Sequence, residues 1–216
     1  MALIIGGKEV PCDVEVVDWK QSGLQCVVGK GARKRDTKKQ DIDLFVWHWT
    51  GGEGNEKSLF NVLINRELGV EFYIRYDGKI FQFCDPVFVD SFDAGVVNRR
   101  SVGCEIQGVG TGPDNPKFKR NRIKDNVQGR TISVADFTEA QYKSALALAK
   151  AVSDAIPTLP KKVNRDPNDA TKPFSSLFDD AGIKKDKKGH IGHFNVNPAK
   201  KDCGTKLLKH FIDNGF

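Results

Sequence analysis

The chain has 216 residues, 39% apolar and 29% charged, which suits one well-buried core and excludes a disordered polymer. A net charge of +6 fits an anionic partner such as nucleic acid, a membrane surface or an acidic polymer, although a charge this modest is ordinary for solubility. No apolar run approaches the roughly 20 residues that cross a bilayer, so membrane insertion is not expected.

The opening MALII is apolar but short, with no basic region before it, so no signal peptide is recognised and synthesis in the cytoplasm is expected. The five cysteines, at 12, 26, 84, 104 and 203, form no CxxC pair. That excludes zinc-ribbon and thioredoxin motifs and argues against a disulfide framework. Most read as small buried hydrophobes; Cys203 differs, because it sits in a polar, lysine-rich segment.

In chain order, VEVV and LQCVV are short strand candidates, and 29–41 reads as a basic, solvated loop. IDLFVWHW, 42–49, is a buried strand ending near His48. TGGEGN turns the chain into the helix KSLFNVLINREL, with Asn55 as its N-cap and Gly69 at its C-cap. Asp77-Gly78 between two strand-like runs predicts a hairpin over 70–83. VGCEI is the next buried strand, and 111–132 reads as a long surface loop. The clearest helix is 137–156, capped by Thr138 and stopped by Pro157. A polar excursion over 160–188 precedes the terminal amphipathic helix. The order predicts an α/β single domain, a central mixed β-sheet flanked by α-helices.

Four features carry chemistry: His48 at a strand end, Glu105 inside a strand, His193 after a glycine, and the pair Lys201 and Cys203. Two imidazoles and a thiolate make three protein ligands and leave a fourth position for water, whereas a structural zinc site is closed by four. A buried Glu beside that water is a general base, and a Lys stabilises developing negative charge. His190 and His193 look like a pair, but residues three apart on a strand face opposite ways, so His190 is a bystander.

The segments VWHWTGG (46–52), FYIRYDGKIFQF (72–83), AGVVNRRSVGCEIQG (94–108), FTEAQYKSALAL (137–148) and GHFNVNPAKKDC (192–203) occur in the order of a known family. The chain resembles the zinc-dependent N-acetylmuramoyl-L-alanine amidases, a superfamily with phage amidase lysozymes and peptidoglycan recognition proteins. The resemblance implies Zn2+ held by His48, His193 and a third ligand, with Glu105 as catalytic acid. The third ligand is Asp or Cys, two residues after a catalytic Lys. KKDCG offers Lys200 with Asp202, which the following Gly204 favours, or Lys201 with Cys203, which the offset from Pro198 favours. Thiolate is the better zinc donor, so Cys203 with Lys201 is the expected pair. The chain departs from the family at Glu71 and Asp93, where His is common, and at Val70, where some members carry a catalytic Tyr.

The implied activity is hydrolysis of the amide between N-acetylmuramic acid and L-alanine of the peptidoglycan stem peptide. Residues 1–41 would be an N-terminal extension and 42–216 the catalytic core of a single amidase domain, acting as a monomer on bacterial peptidoglycan. A non-catalytic peptidoglycan-binding module is the alternative. Nucleic-acid binding rests on charge alone, without a motif, and is not expected. A phage endolysin, a bacterial wall-recycling enzyme and an injected antibacterial toxin are all compatible settings; in each the protein acts on the wall, released for some by a phage or a secretion system. The basic segments 29–41 and 111–132 and the lysines at 184–188 are candidates for an electrostatic anchor to wall polymer, with plain solvation favoured.

Overall fold

The computed structural model describes residues 1–36, 41–180, 183 and 186–216. Parts of two basic segments, 29–41 and 184–188, therefore lie outside the described residues. The chain opens with a hairpin, β1 (Ala2–Ile5) and β2 (Lys8–Pro11), followed by β3 (Val16–Val17), the short helix α1 (Trp19–Ser22), β4 (Val27–Val28) and β5 (Gly31–Lys34). Then come β6 (Leu44–Trp49), α2 (Glu56–Asn65), β7 (Phe72–Ile74), β8 (Ile80–Gln82), β9 (Val89–Ser91), a 3-10 turn over Gly95–Arg100 and β10 (Ser101–Ile106). A hairpin, β11 (Arg122–Val127) and β12 (Arg130–Ala135), leads to α3 (Glu139–Ala155). A second hairpin, β13 (Arg165–Asp166) and β14 (Asp169–Pro173), precedes β15 (Gly189–Gly192) and the terminal helix α4 (Lys206–Asp213).

Six strands form the central sheet in the order β15-β6-β10-β7-β8-β3. The pairs β15–β6, β6–β10, β10–β7 and β3–β8 are parallel, and β7–β8 is antiparallel, which makes the sheet mixed as expected. The parallel strands are apolar along their length because both faces are covered. Phe45, Trp47, Val102, Cys104 and Ile106 face α3 and α4, meeting Ala145, Leu148, Ala149, Val152, Leu208 and Phe211. The alternate residues Leu44, Val46 and Ile191 face the other way, onto Ala94, Val97, Phe178 and Val196. Helix α2 packs Leu59 and Leu63 against Tyr73, Phe81 and Phe83. Truncating a fully buried aromatic such as Phe45 to Ala would cost about 3–5 kcal/mol.

The helix N-caps follow the sequence. Asn55 Oδ1 accepts from the Ser58 N–H at 2.9 Å. Thr138 and Gln141 close a capping box. The expected hairpin is present, its loop carrying Gly78 at φ 86°.

Several expectations are corrected. Gly69 does not cap α2: the helix ends at Asn65, with Arg66 as its C-cap, and Glu67 takes the left-handed conformation. Gly69 is small for another reason, since a Cβ there would lie 2.8 Å from the Gly31 carbonyl oxygen. The loop read over 111–132 contains β11 and the start of β12; Gln128 and Gly129 both take positive φ at their turn, and Gln-Gly is a weak hairpin signal. The excursion at 160–188 likewise folds back on itself as β13 and β14. The basic segment 29–41 is partly built in: β5 pairs with β9, and the buried Arg35 guanidinium donates to the carbonyls of Pro86, Arg99 and Ser101. No helix among the described residues is long and apolar enough to cross a membrane.

Candidate metal centre

The carboxyl ends of three parallel strands converge on one cleft. His48 lies near the end of β6, Glu105 near the end of β10, and His193 follows β15 directly. Ligand sites at the carboxyl edge are the rule for open parallel sheets. Glu105 and His48 are register partners on adjacent strands, so both side chains leave the same face of the sheet. The opposite face takes their neighbours Cys104 and Trp47 into the core.

The third member of the cluster is Asp202. Its Oδ2 lies 3.0 Å from His48 Nδ1 and 3.1 Å from His193 Nδ1. The ring centroids of the two histidines are 4.6 Å apart. One ligand atom from each of His48, His193 and Asp202 falls within 4.8 Å of the others, and all three residues are buried. Burial opposes charge on Asp202, but the hydrogen bonds from His193 and His48 outweigh it and hold the carboxyl well below the usual range. Burial also works against a charged His48, yet hydrogen bonds to Asp202 and Asp93 raise it to about 10. For His193, burial and the neighbouring His48 charge prevail over the bond to Asp202, and its pKa falls. The field of these carboxylates therefore draws positive charge into the cleft. Two imidazole nitrogens and one carboxylate oxygen are also a donor set of the catalytic-zinc kind, so the residues fit such an ion.

Cys203 was the expected third ligand, but the structure places it away from the two histidines. Its thiol is in the core with Phe194 and Leu207, and its only hydrogen bond among the described residues runs to the adjacent Gly204 carbonyl at 3.5 Å. Burial pushes this thiol well above its ordinary pKa, with Asp202 adding to the effect, so a thiolate is disfavoured there. Lys201 is likewise turned away, with Nζ donating to Gln128 Oε1 and more weakly to the Pro198 carbonyl. Lys200 lines the cleft instead. The alternative pairing of Lys200 with Asp202 is thus the one that reaches the histidines. Its sequence signal was Gly204, whose φ of 79° needs a glycine.

Glu105 stands apart from the cluster's hydrogen bonds. Its Oε2 is shielded from solvent and has no partner among the described residues. Burial raises its carboxyl to about 7, partly offset by the His48 charge. A cavity of about 200 Å³ joins these groups, lined also by Thr50, Arg66, Phe92 and Asp93. The loop after His48 is held by the Tyr73 hydroxyl, which donates to the Gly54 carbonyl at 2.8 Å, and by a buried Arg120–Glu53 ion pair at 2.6 Å.

His190 lies apart from the cluster. It lies fully buried on the opposite side of the sheet from His193, stacked on Phe45 at 5.2 Å. Trp47 Nε1–H donates to its Nδ1 at 3.2 Å, so the ring hydrogen sits on Nε2, facing Ser153 Oγ at 2.9 Å.

The mixed sheet and the His48, His193 and Asp202 cluster at its carboxyl edge define an α/β protein with a candidate metal centre. The chain matches the N-acetylmuramoyl-L-alanine amidase family over residues 38–204, and it belongs to that family. Among solved structures it is similar to the Drosophila peptidoglycan recognition protein SD, at 14% identity over 93% of this chain and 94% of that one, with a TM-score of 0.51. It is similar also to a selenomethionine derivative of AmpD, at 17% identity over 87% and 93% of the two chains, with a TM-score of 0.49. For the endolysin amidase LysCS of Clostridium intestinale the identity is 17%, the coverage 66% and 76%, and the TM-score 0.44. No curated protein matches the chain.

Proposed function

We propose that the protein is a zinc-dependent peptidoglycan hydrolase that cuts the amide between the lactyl group of N-acetylmuramic acid and L-alanine of the stem peptide. The observation that carries this reading is the convergence of His48, His193 and Asp202 beside Glu105, whose Oε2 has no partner among the described residues, in a chain of the amidase family. His48, His193 and Asp202 would hold the ion, which when bound polarises the scissile carbonyl and brings the pKa of a coordinated water to about 7. Glu105 takes the proton of the attacking water and delivers it to the leaving amine; a carboxyl poised near neutrality suits both halves of that transfer. Lys200 supplies positive charge at the cleft and offsets the negative charge that builds on the carbonyl oxygen. Such an enzyme works at the bacterial cell wall.

Mass analysis of purified peptidoglycan digested by the protein, with and without a chelator, tests the reading. Stem peptides with a free L-alanine amine, together with unsubstituted muramic acid, are the expected products, and the chelator should suppress them. Binding to peptidoglycan without any cleavage would instead establish the non-catalytic module.

A further inference from the structure

Asp93 lines the cleft, and nothing in the reaction above uses it. It follows β9 and precedes the 3-10 turn over Gly95–Arg100 that covers the site face of the sheet. Its Oδ2 lies 3.1 Å from His48 Nε2, with both side chains 3% exposed. His48 is therefore held on both ring nitrogens, Nδ1 by Asp202 and Nε2 by Asp93.

The fold makes room for this contact. A Cβ on Gly103 would lie 2.0 Å from Asp93 Oδ2, so only a glycine at that point of β10 lets the carboxylate reach the ring. Behind it, the buried Glu71 accepts from the Gly103 N–H at 2.7 Å and from the Ser91 hydroxyl at 2.7 Å. Arg35 NH2 lies 3.8 Å from Glu71, in a wholly buried pair. Glu71 thus supports the strand against which Asp93 rests.

We infer that Asp93 is a positioning residue that keeps the hydrogen of His48 on Nε2 and directs Nδ1 at Asp202 and a bound cation. A carboxylate only accepts, so the hydrogen must lie on the ring nitrogen that faces it. Nδ1 faces the Asp202 carboxylate in the same way, so both ring nitrogens of His48 carry hydrogen until a cation takes the place of the one on Nδ1; the hydrogen that Asp93 holds on Nε2 is the one that stays. Carboxylates of this kind behind a ligating imidazole fix its tautomer and orientation and raise its basicity, and losing one typically lowers metal affinity 10–100-fold. The inference rests on the zinc reading for its cation, but the hold on the His48 ring is independent of it.

The test compares wild type with Asp93→Ala and Asp93→Asn, each checked for an unchanged circular-dichroism spectrum. Zinc affinity is measured by competition with a chromophoric chelator, and the His48 ring hydrogen by NMR. The Ala variant should bind zinc about 10–100-fold more weakly and lose a slowly exchanging Nε2–H resonance. The Asn variant, whose Oδ1 still accepts, should recover most of both. If Asp93→Ala fails to fold, the Asn variant alone decides: retained Nε2–H with a modest loss of affinity supports the role, and a resonance lost with the acceptor intact overturns it. Wild-type affinity and resonance in Asp93→Ala would also overturn it. So would loss of zinc as complete as in His48→Ala, which would make Asp93 a ligand. A wild type that binds no zinc yet shows the Nε2–H resonance, with its loss in the Ala variant, would refute the zinc reading while leaving the Asp93–His48 contact established.

Discussion

Asp202 Oδ2 lies 3.0 Å from His48 Nδ1, a contact between residues 154 apart in sequence that draws the loop after β15 onto the end of β6. That contact brings Asp202 of the KKDCG stretch to the histidines and makes it the proposed third ligand. Asp202→Ala should abolish tight zinc binding, whereas Cys203→Ala should keep the metal and lose only packing. Metal content after gel filtration, read by inductively coupled plasma mass spectrometry, distinguishes the two. Zinc retained in Asp202→Ala and lost in Cys203→Ala would restore the thiolate ligand.

Glu105 is the proton carrier of the proposed reaction, and its Oε2 has no hydrogen-bond partner among the described residues. Glu105→Gln is close to isosteric and removes the base. Muropeptide turnover should fall by at least about 10²-fold, the usual contribution of a positioned acid–base group, with zinc content unchanged. Near-normal turnover would remove Glu105 from the mechanism.

The two adjacent lysines should separate cleanly. Lys200 lines the cleft, while Lys201 donates to Gln128 and Pro198. Lys200→Ala is expected to lower kcat by about 10²–10³-fold, the range found for loss of one oxyanion-stabilising group. Lys201→Ala should leave kcat within a few-fold of wild type. Steady-state kinetics on a soluble muropeptide reads both, and the reverse order would return the role to Lys201.

His190 sets a pH dependence of stability away from the site. Burial alone lowers its pKa to about 3. The unfolded chain, with an ordinary imidazole near 6.5, then binds the proton more readily than the folded one between about pH 3 and 6.5. Stability from this group therefore rises with pH through that window and falls on acidification. Between pH 7 and pH 5 the loss is about 2 kcal/mol. His190→Gln cannot take up that proton, so urea unfolding at the two pH values should show a smaller decline for the variant, by about that amount. Equal declines would show that His190 is protonated without cost.

The sequence made the chemistry of this protein legible where chemistry and periodicity coincide. His48 and Glu105 sit on long apolar strands whose alternation assigns each residue a face, and His193 follows a glycine at the end of another. Asn55 and Thr138 were readable because capping is a local interaction. The third ligand was harder, because Asp202 and Cys203 are neighbours in an irregular segment where no period assigns a direction. Donor strength favoured sulfur, but the outcome is set by tertiary packing, which sends Cys203 into the core beside Phe194. The hairpins β11–β12 and β13–β14 were hidden by polar, charged strands that lie on the surface and show little apolar alternation. Asp93 stood out in the sequence only as a departure from the resembled family, and its partner His48, across the fold, could not be read there.

The pairing of Glu105 with His48 across β10 and β6 has one more consequence. A slip of one position between these strands would present Cys104 and Ile106 to the cleft and turn Glu105 toward α3. Every apolar side chain of β10 would change sides with it. The same alignment that seals the interior therefore also brings acid and imidazole together, and a misaligned chain could be neither well packed nor active. On the proposed function, catalytic competence is in effect a readout of correct strand alignment.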